Sequence, residues 1–546
     1  MNYIQYLLLF PLYFFIPFAF GGTEPWALLL MQILVFSALI FTFINKKNYY
    51  FTKPSFFIII SFLMLIALCI IQISNPGTIL KKMPFIPFSI CTLFSLQELY
   101  TLVLYFSLFF IITQNFENSD KQRKLFYAIL IASFAAAITG ILCQKGEYIQ
   151  FFLGIKINHA FGPFVNRNNA GSFFAASFFT AMAVFLPKFT RFEKIRKNFF
   201  KFSAGAILCI FLFVTSILTR SRGSMLGLFI SIFILLFILA WYMSSQIQKK
   251  VLYLFFVAVL FSCSSFIIYK NIDVINNFSG RNAGGFSEQA RISLYKAGFN
   301  MLNDFPLTGT GMGAFSMGTG KYLDMQLTDF PRRIHSDWLE LLVAIGYPAG
   351  ILFFIIALCT VYFFLKRIKK FNNEKKIKFT ALMCAVFSIS VSCLVDFHLH
   401  IPANAFIFFT VLALLSSSSF NRDKIIYYRL PYLIKIFFCM LFAATVYFSA
   451  KDAIAWRNIT FANKLSLEHK INTYESALEL SPNPVYAYNL IMFYIQSLEN
   501  DSLNRQIKYE YYKKALSLTE KYLTIYPFNS NFSYLYGILK NSSESF

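Results

Sequence analysis

The sequence has few charged residues and no cysteine spacing of the kind that forms metal sites. Only 14% of its 546 residues are charged, whereas a soluble domain has roughly 25%. Its nine cysteines form no CxxC pair and no Cys/His metal spacing. Most of them fall in apolar runs, where a cysteine behaves as a small buried hydrophobic residue. These shortages argue against a soluble fold and against a cysteine-based zinc module.

The sequence also lacks a nucleotide-binding loop and a cluster of metal ligands. The glycine-rich stretch GTGMGAFSMGTG (309–320) is not followed by GK[ST], so it is not a P-loop. His398 and His400 have only Asp396 as an acidic neighbour, and we expect them to be structural hydrogen-bonding residues rather than metal ligands. The sequence therefore predicts chemistry without a metal or a cofactor.

Apolar residues are what the chain has in excess. Hydrophobic residues make up 57% of it and aromatic residues 19%, and its mean hydropathy is +0.59. Apolar stretches of roughly 17 to 22 residues recur, long enough to cross a hydrocarbon layer of about 30 Å. We predict an all-α polytopic membrane protein with about 13 transmembrane helices. Their expected centres are residues 12, 35, 64, 107, 134, 179, 211, 233, 260, 352, 387, 411 and 440.

The distribution of basic residues predicts the orientation. The formal net charge is +24, and basic residues concentrate in every second connection between the apolar runs. Such connections are cytoplasmic in membrane proteins, so we expect a cytoplasmic N-terminus and a C-terminal region on the outer side. Nucleic acid is not an expected partner, because no soluble basic domain is present to bind it. The first apolar run has no small-residue cleavage site after it and is interpreted as a retained helix.

The longest connection, residues 270–337, is expected to lie on the outer side and to be functional. Within it, SEQARISLYKAGFNMLND has the period of an amphipathic helix. Its apolar stripe is predicted to comprise Ile292, Tyr295, Phe299 and Leu302, with Arg291 and Lys296 outside the stripe. At the end of the connection, Asp337 and Glu340 have the spacing of a capping box, so Asp337 is predicted to cap the helix that re-enters the membrane.

The region after the last apolar run has a different composition. We expect a final membrane helix at residues 421–450 and a helical domain at residues 451–546. YESALELSPNPVYAYNL and TEKYLTIYPFNSNFSYLYG resemble each other, and each is a helical pattern followed by proline and an aromatic-rich helix. The pattern predicts a short tetratricopeptide-like array on the outer side that binds a protein partner and carries no chemistry.

Basic residues at the outer face are the candidates for substrate binding. Arg220 and Arg222 fall in a short outward connection, where positive charge is depleted, and a guanidinium matches phosphate oxygens bidentately. The alternative is that each arginine extends from a helix end to the lipid headgroups. Arg291 has the alternative of a solvated helix position. His335 suits a general base at neutral pH, with a capping or hydrogen-bonding role as its alternative.

Several of these motifs resemble the bacterial O-antigen ligase and polymerase family of membrane glycosyltransferases. The resemblance covers roughly residues 1–420, which we take as the catalytic membrane domain. It rests on HAFGPFVNRNNAG (159–171), SRGSMLGLF (221–229), ARISLYKAGFNMLNDFPLTGTGMGAF (290–315), HSDWLELLVAIGYPAG (335–350), FGGTEPW and DFHLHIPANAF.

The resemblance implies a fold of the polyprenol-dependent (GT-C) glycosyltransferase type in the bacterial inner membrane, with the long loop and the C-terminal domain in the periplasm. It implies inverting transfer of a glycan from undecaprenyl diphosphate to an acceptor hydroxyl, here expected to belong to lipid A-core. By motif, Arg222 and Arg291 match the arginines that hold the diphosphate, and His335 matches the base. Further substrate-binding residues are expected nearby, namely Arg220, Arg333, Asn166 and Asn168.

Other activities remain open at this stage. A polymerase of repeat units and a protein O-oligosaccharyltransferase would use the same donor with a different acceptor. A polyprenyl-lipid transporter or flippase would also need many helices and membrane-embedded charge. Transport is less well supported, because the candidate charges gather at one face and the apolar runs show no internal repeat.

Overall fold

A computed structural model describes ten segments of the chain, and they are almost entirely helical. The two strands in them, β1 (Tyr49–Phe51) and β2 (Ile426–Tyr428), pair antiparallel. The described segments are residues 3–77, 85–142, 161–187, 199–243, 288–323, 331–417, 426–462, 465–499, 503–527 and 529–541.

A bundle of apolar helices forms the body of the molecule. In chain order they are α1 (Tyr3–Phe18), α2 (Pro25–Asn45), α3 (Lys53–Ser74), α4 (Thr92–Asn115), α5 (Ser119–Leu142), α6 (Arg167–Phe185), α7 (Phe199–Leu218), α8 (Arg222–Met243), then α11 (Asp337–Ile368), α12 (Asn373–Ser392), α13 (Pro402–Ser416) and α14 (Tyr432–Ala462). Between α8 and α11 lie α9 (Glu288–Asp304) and α10 (Phe315–Tyr322). The last four helices are α15 (Leu467–Leu480), α16 (Pro484–Leu498), α17 (Arg505–Ile525) and α18 (Ser530–Asn541).

Within the described segments, eight helices are long and apolar enough to cross a membrane: α2, α3, α4, α5, α7, α8, α11 and α14. The predicted all-α polytopic membrane fold is therefore confirmed. Helices α1 and α13 are apolar but shorter. Every expected span centre except one falls inside a described helix, and the exception, residue 260, lies outside the described residues.

Aromatic side chains fill the interior of the bundle. Phe109, Phe174, Phe379 and Phe406 are completely or almost completely buried and belong to one hydrophobic core. Helix α12 is the centre of the packing, because it contacts both α6 and α8 extensively. Gly227 of α8 makes this approach possible, since a Cβ there would lie 2.4 Å from the Ser388 carbonyl oxygen.

Helix α11 has a sharp break near its start. Gly346 has φ +75° and ψ 171°, and Pro348 follows it, so residues 337–345 form a separate short segment before the spanning part. The Asp337 N–H donates to the Cys393 carbonyl beyond the end of α12, and the Gln72 amide of the last turn of α3 donates to the Ala344 carbonyl. The short segment thus lies across one end of the bundle, which we call the site end.

The predicted cap of α11 is wrong by one residue. Ser336 is the N-cap, and its side chain accepts a hydrogen bond from the Leu339 N–H. Asp337 is the first helical residue, and its carboxylate instead binds residues of the segment between α12 and α13. A sequence pattern that fits two adjacent polar residues cannot tell which of them forms the cap.

Two of the four residues in the predicted apolar stripe of α9 face the core, because Leu302 is buried in it and Tyr295 packs against it. The other two do not. Ile292 and Phe299 are exposed, whereas Leu294, Ala297 and Met301 are buried. Both sets recur at helical spacing, so periodicity alone could not choose between them. The buried set is selected by neighbours from distant parts of the chain, including α10 and the C-terminal helices.

The C-terminal helices α15 to α18 pack on one another in sequence order and share a hydrophobic core with the long connection. This core joins Leu294 and Phe315 to Tyr474 and Leu535. Gly320 of α10 lies so close to α18 that a Cβ there would be 2.0 Å from Ser530 Oγ. Helix α14 runs continuously to Ala462, so the boundary expected at residue 451 falls inside it. Because they share a core with the long connection, helices α15 to α18 lie at the site end.

Candidate functional site

The start of α6 carries three polar residues in a row. Asn166 is the N-cap, and its side-chain oxygen accepts a hydrogen bond from the Asn168 N–H at 2.8 Å. Arg167 is the first helical residue, and Asn168 turns its amide towards the segment between α12 and α13. Capping fixes the backbone here, so the side chains of Arg167 and Asn168 leave the helix in defined directions.

A tight turn between α7 and α8 places Arg220 and Arg222 beside the start of α6. Arg220 has the left-handed φ of +56°, which reverses the chain in three residues. The Ser224 hydroxyl of α8 donates to the Asn168 carbonyl at 2.9 Å. Gly171 permits this contact, because a Cβ there would lie 2.6 Å from Thr219 Oγ1. The two helix starts are therefore fixed to each other.

Four arginines meet at this place. The charges of Arg220, Arg222 and Arg291 all act on Arg167, although the four residues come from three separate parts of the chain. The buried Nε of Arg291 has no hydrogen-bond partner among the described residues. Like charges held this close repel each other, and a multiply charged anion between them would relieve that repulsion.

Asp396 connects Arg291 to His335. Its Oδ2 accepts a hydrogen bond from the Asn168 amide at 2.7 Å and lies 3.7 Å from a guanidinium nitrogen of Arg291. Its Oδ1 lies 3.1 Å from His335 Nδ1. Burial opposes ionisation of Asp396, but the hydrogen bond with His335 and the charges of His398, His335 and Arg291 prevail and lower its pKa to about 2. Asp396 is thus a buried carboxylate that remains ionised at neutral pH.

The backbone of His335 is held in an unusual conformation. Its φ of +61° lies in the left-handed region, which a residue with a side chain adopts only when its surroundings fix it. The Tyr295 hydroxyl of α9 donates to the His335 carbonyl at 3.0 Å. Arg333 and Asp337, two positions before and after His335, are each bound by at least two groups. These contacts hold the imidazole against Asp396.

Arg333 does not join the other arginines. Its guanidinium forms ion pairs of 2.8 Å with both Glu98 of α4 and Glu340 of α11. The two carboxylates raise the pKa of Arg333 despite its burial, which by itself would lower it. Of the seven predicted site residues, the structure therefore brings six together: Asn166, Asn168, Arg220, Arg222, Arg291 and His335. Arg333 belongs to a second polar cluster.

His400 belongs to this second cluster as well. Its Nδ1 lies 2.6 Å from Asp337 Oδ1, and its Nε2 lies 3.7 Å from both Glu98 and Glu340. Burial and the charge of Arg333 lower its pKa, but the three carboxylates outweigh them and raise it above the ordinary value. The second cluster thus holds three carboxylates against Arg333 and His400.

His398 lies on the opposite side of the same segment. Its Nδ1 is 3.0 Å from the Asn169 side-chain oxygen, and burial lowers its pKa. The two histidines therefore bind different partners and do not converge on one point. Among the residues that the structure describes, no three His, Cys, Asp or Glu side chains are grouped as metal ligands.

A large apolar groove extends from the second cluster into the bundle. Its volume is about 1200 Å³, and it runs between α3, α4, α8, α11, α12 and α13. Glu98, Arg333, Asp337 and His400 form its polar end, while Phe62, Phe353, Phe387 and Leu412 are among its apolar lining residues. A groove of this volume with an apolar lining suits a hydrocarbon chain.

Sequence reasoning missed Arg167 and the role of Asp396. Arg167 stands between two predicted residues in the motif VNRNNAG, so its position was the available signal. Asp396 was considered only as an incomplete metal ligand, and its contact with His335 joins residues 61 positions apart. Glu98 was also missed, although a single acidic residue inside an apolar helix is itself a signal of a functional site.

Comparison with known protein families shows a similarity to part of the chain. The family model described as O-antigen ligase matches residues 207–354. No curated protein matches the chain. The matched region includes Arg220, Arg222, Arg291, Arg333 and His335.

Proposed function

We propose that this polytopic membrane protein, whose residues 207–354 match the O-antigen ligase family model, transfers a glycan from undecaprenyl diphosphate to an acceptor hydroxyl. One observation carries the proposal: Arg291, whose charge acts on Arg167 together with those of Arg220 and Arg222, also lies 3.7 Å from the buried carboxylate of Asp396, which contacts His335. An anion site next to a base is what transfer from a diphosphate-linked donor to a hydroxyl requires.

The arginines act on the leaving group. In the reaction, the bond between the anomeric carbon and the phosphate oxygen breaks, and its electron pair stays on the diphosphate. Arg167, Arg220, Arg222 and Arg291 provide the positive charge that stabilises this developing charge, so the proposed step uses no metal. Removing one stabilising group of this kind costs roughly 10² to 10³ in rate.

His335 acts on the acceptor. Because Nδ1 donates its proton to Asp396 Oδ1, Nε2 carries the lone pair that accepts the proton of the attacking hydroxyl. The acceptor oxygen then forms a bond to the anomeric carbon from the face opposite the diphosphate, which inverts its configuration. Asp396 orients the imidazole and stabilises the imidazolium ion that forms.

The apolar groove supports a lipid substrate. It reaches the site end at the second cluster, which shares the segment between α12 and α13 with the arginine site. We propose that the polyprenyl-linked donor comes from the membrane and that the acceptor is lipid A-core. A repeat-unit polymerase and a protein O-oligosaccharyltransferase differ from this only in the acceptor.

The proposed location is the bacterial inner membrane, with the site end towards the periplasm. The support is the positive charge at the other end of the bundle, where Lys46, Lys121, Lys369 and Lys435 lie in or beside connections between helices. Positive connections are retained on the cytoplasmic side. On this view the N-terminus is cytoplasmic, and α15 to α18 form a periplasmic tetratricopeptide-like domain that is available to a protein partner.

The acceptor can be identified from a deletion strain. A ligase predicts loss of polymer-capped lipopolysaccharide together with accumulation of long glycan on undecaprenyl diphosphate. Lipopolysaccharide capped with single repeats would instead identify a polymerase, and unmodified envelope proteins with normal lipopolysaccharide would identify a protein glycosyltransferase. A deletion strain that still makes polymer-capped lipopolysaccharide, polymerised glycan and glycosylated envelope proteins would contradict the proposed transfer.

A second experiment separates transfer from transport. Purified protein in detergent should turn over the substrates if it is a transferase, whereas a carrier has no turnover there.

A further inference from the structure

Helix α9 exposes an apolar strip next to the candidate site. Ile292 is 53% exposed and Phe299 is 50% exposed, and they stand seven residues apart, which is two helical turns. Leu307, just beyond the end of the helix, is 61% exposed. Large exposed apolar residues in a row mark an interaction surface rather than ordinary solvent exposure. We call Ile292, Phe299 and Leu307 the α9 strip.

The α9 strip borders the face of the helix that serves the site. Arg291 and Tyr295 point from that face to Asp396 and to the His335 backbone. The opposite side of α9 packs into the core shared with the C-terminal helices. Polar residues, including Lys296 and Asn300, occupy the remainder of the exposed surface. On the circumference of α9, the α9 strip therefore lies between the face that carries Arg291 and Tyr295 and the polar face that carries Lys296 and Asn300.

Contacts at both ends of α9 place it across the site end of the bundle. Near its start, Arg291 donates to the Val395 carbonyl, between α12 and α13. Just past its end, the Tyr347 N–H of α11 donates to the Pro306 carbonyl at 2.8 Å. In between, Gly298 packs against Ile334 and Leu339. All these contacts are with the site-end portions of membrane helices or with their connections. The axis of α9 therefore runs along the membrane surface and not across the membrane.

The α9 strip continues into the lipid-facing surface of α11. Leu307 adjoins Gly346, because a Cβ on Gly346 would lie 2.8 Å from the Leu307 carbonyl oxygen. From there, α11 exposes Tyr347, Ile351, Leu352, Ile355 and Leu358 in succession. On a spanning helix such a row faces hydrocarbon, and an exposed tyrosine at its start is typical of the membrane interface.

We propose that the α9 strip lies in the headgroup and acyl boundary of the bilayer, with phospholipid as its partner. An amphipathic helix in this position buries its apolar side chains in the boundary and keeps its polar face in water. Lys296, on the water side of the strip, has the charge that suits the phosphate of an anionic lipid. The contact would hold Arg291 at the depth of lipid phosphates. This consequence rests on the proposed function, whereas the lipid contact itself does not.

Photo-crosslinking of the full chain in liposomes tests the contact. The photoreactive residue benzoylphenylalanine would replace Ile292 or Phe299, with Asn300 on the polar surface of the same helix as the matched control. Ile351 of α11, 57% exposed, is the positive control. The liposomes contain phosphatidylethanolamine and phosphatidylglycerol, and mass spectrometry detects the adducts. We expect phospholipid adducts at 292, 299 and 351, at least five-fold above those at 300.

Two outcomes would overturn the proposal. One is lipid labelling at 292 and 299 no higher than at 300 while 351 is labelled normally. The other is predominant crosslinking of 292 and 299 to protein, either within the chain or to a second copy. Failure of the proposed function would look different, because lipid adducts would persist while Arg291→Ala left glycan transfer unchanged.

A functional consequence can be measured separately. Ile292→Gln and Phe299→Gln together should raise the donor concentration needed for half-maximal transfer by at least three-fold in liposomes, because Arg291 is no longer held at headgroup depth. Asn300→Ala is the control and should leave that concentration unchanged. If the double variant and this control need the same donor concentration for half-maximal transfer, the α9 strip does not position Arg291.

Discussion

Nδ1 of His335 lies 3.1 Å from Oδ1 of Asp396, and the same carboxylate also contacts Asn168 and Arg291. A single buried carboxylate therefore connects the base to the anion site. Asp396 cannot serve one without affecting the other, because its two oxygens are divided between them. The candidate site is one unit built around this residue.

Replacement of Asp396 should impair transfer more than it impairs folding. Asp396→Asn keeps the size of the side chain but removes the charge that orients His335 and stabilises its protonated form. We expect transfer to fall about 10² to 10⁴-fold, the range that general base catalysis contributes. Steady-state kinetics on purified protein would measure this. A loss smaller than five-fold in a well-folded variant would contradict the role given to Asp396.

Asp396 should stabilise the fold at neutral pH and lose that contribution in acid. Its folded-state pKa of about 2 is below the ordinary value of 3.8, so its contribution is present above pH 4 and is lost as the pH falls through 2. The shift corresponds to about 2 kcal/mol at neutral pH. Thermal unfolding in detergent should therefore depend less on pH between about 4 and 2 in Asp396→Asn than in the wild type. Identical pH profiles would show that the folded protein does not favour the ionised carboxyl.

Arg167 should matter as much as the arginines identified by motif. Arg167→Ala removes one of four charges around the proposed diphosphate, and we expect transfer to fall roughly 10² to 10³-fold. Arg123→Ala is the matched control, because Arg123 is exposed at the other end of the bundle and pairs only locally with Asp120. Equal activities of the two variants would remove Arg167 from the site.

The second cluster predicts a loss of stability at alkaline pH. The folded-state pKa of His400 is raised by Glu98, Glu340 and Asp337 above its ordinary 6.5. A protonated His400 therefore stabilises the fold fully below pH 6.5, and this contribution disappears as the pH rises through the raised pKa. Melting temperatures from pH 6 to 9 should fall in the wild type and stay flatter in His400→Gln. A steeper fall in the variant would contradict this assignment.

The break in α11 should not tolerate a side chain. Gly346 has a positive φ, and a Cβ there would lie 2.8 Å from the Leu307 carbonyl oxygen. Gly346→Ala is expected to destabilise the protein by about 1–3 kcal/mol. Gly537→Ala in α18 is the control, because a Cβ there meets nothing within 4 Å. Thermal unfolding of both variants in detergent would compare them, and equal melting temperatures would contradict the strain at Gly346.

The sequence predicted the membrane helices well because hydrocarbon demands long apolar runs. Motifs that resemble a known family also pointed to Arg220, Arg222 and Arg291, which are three of the four arginines that the structure groups. The sequence pattern was not sufficient where it fitted two possibilities equally well. This was the case for the two possible buried faces of α9 and for the two adjacent polar residues at the cap of α11. The ion pair of Arg333 with Glu98 was not predicted, because the two residues lie 235 positions apart and only the fold brings them together.

Distant pairing also explains why Asp396 was not recognised as part of the site. The role of Asp396 in the site depends on its contacts with Asn168, Arg291 and His335, which belong to three other segments. Considered alone, it is one acidic residue near two histidines. Burial, which makes its charge effective, is not visible in local sequence.

The most direct test is transfer by purified protein reconstituted with an undecaprenyl diphosphate-linked glycan and a lipid A-core acceptor. We expect turnover by the wild type and by Arg123→Ala, and at least a 100-fold lower rate with His335→Ala and with Arg291→Ala, all in folded protein. Full transfer by either of these two site variants would contradict the assignment of base and anion site.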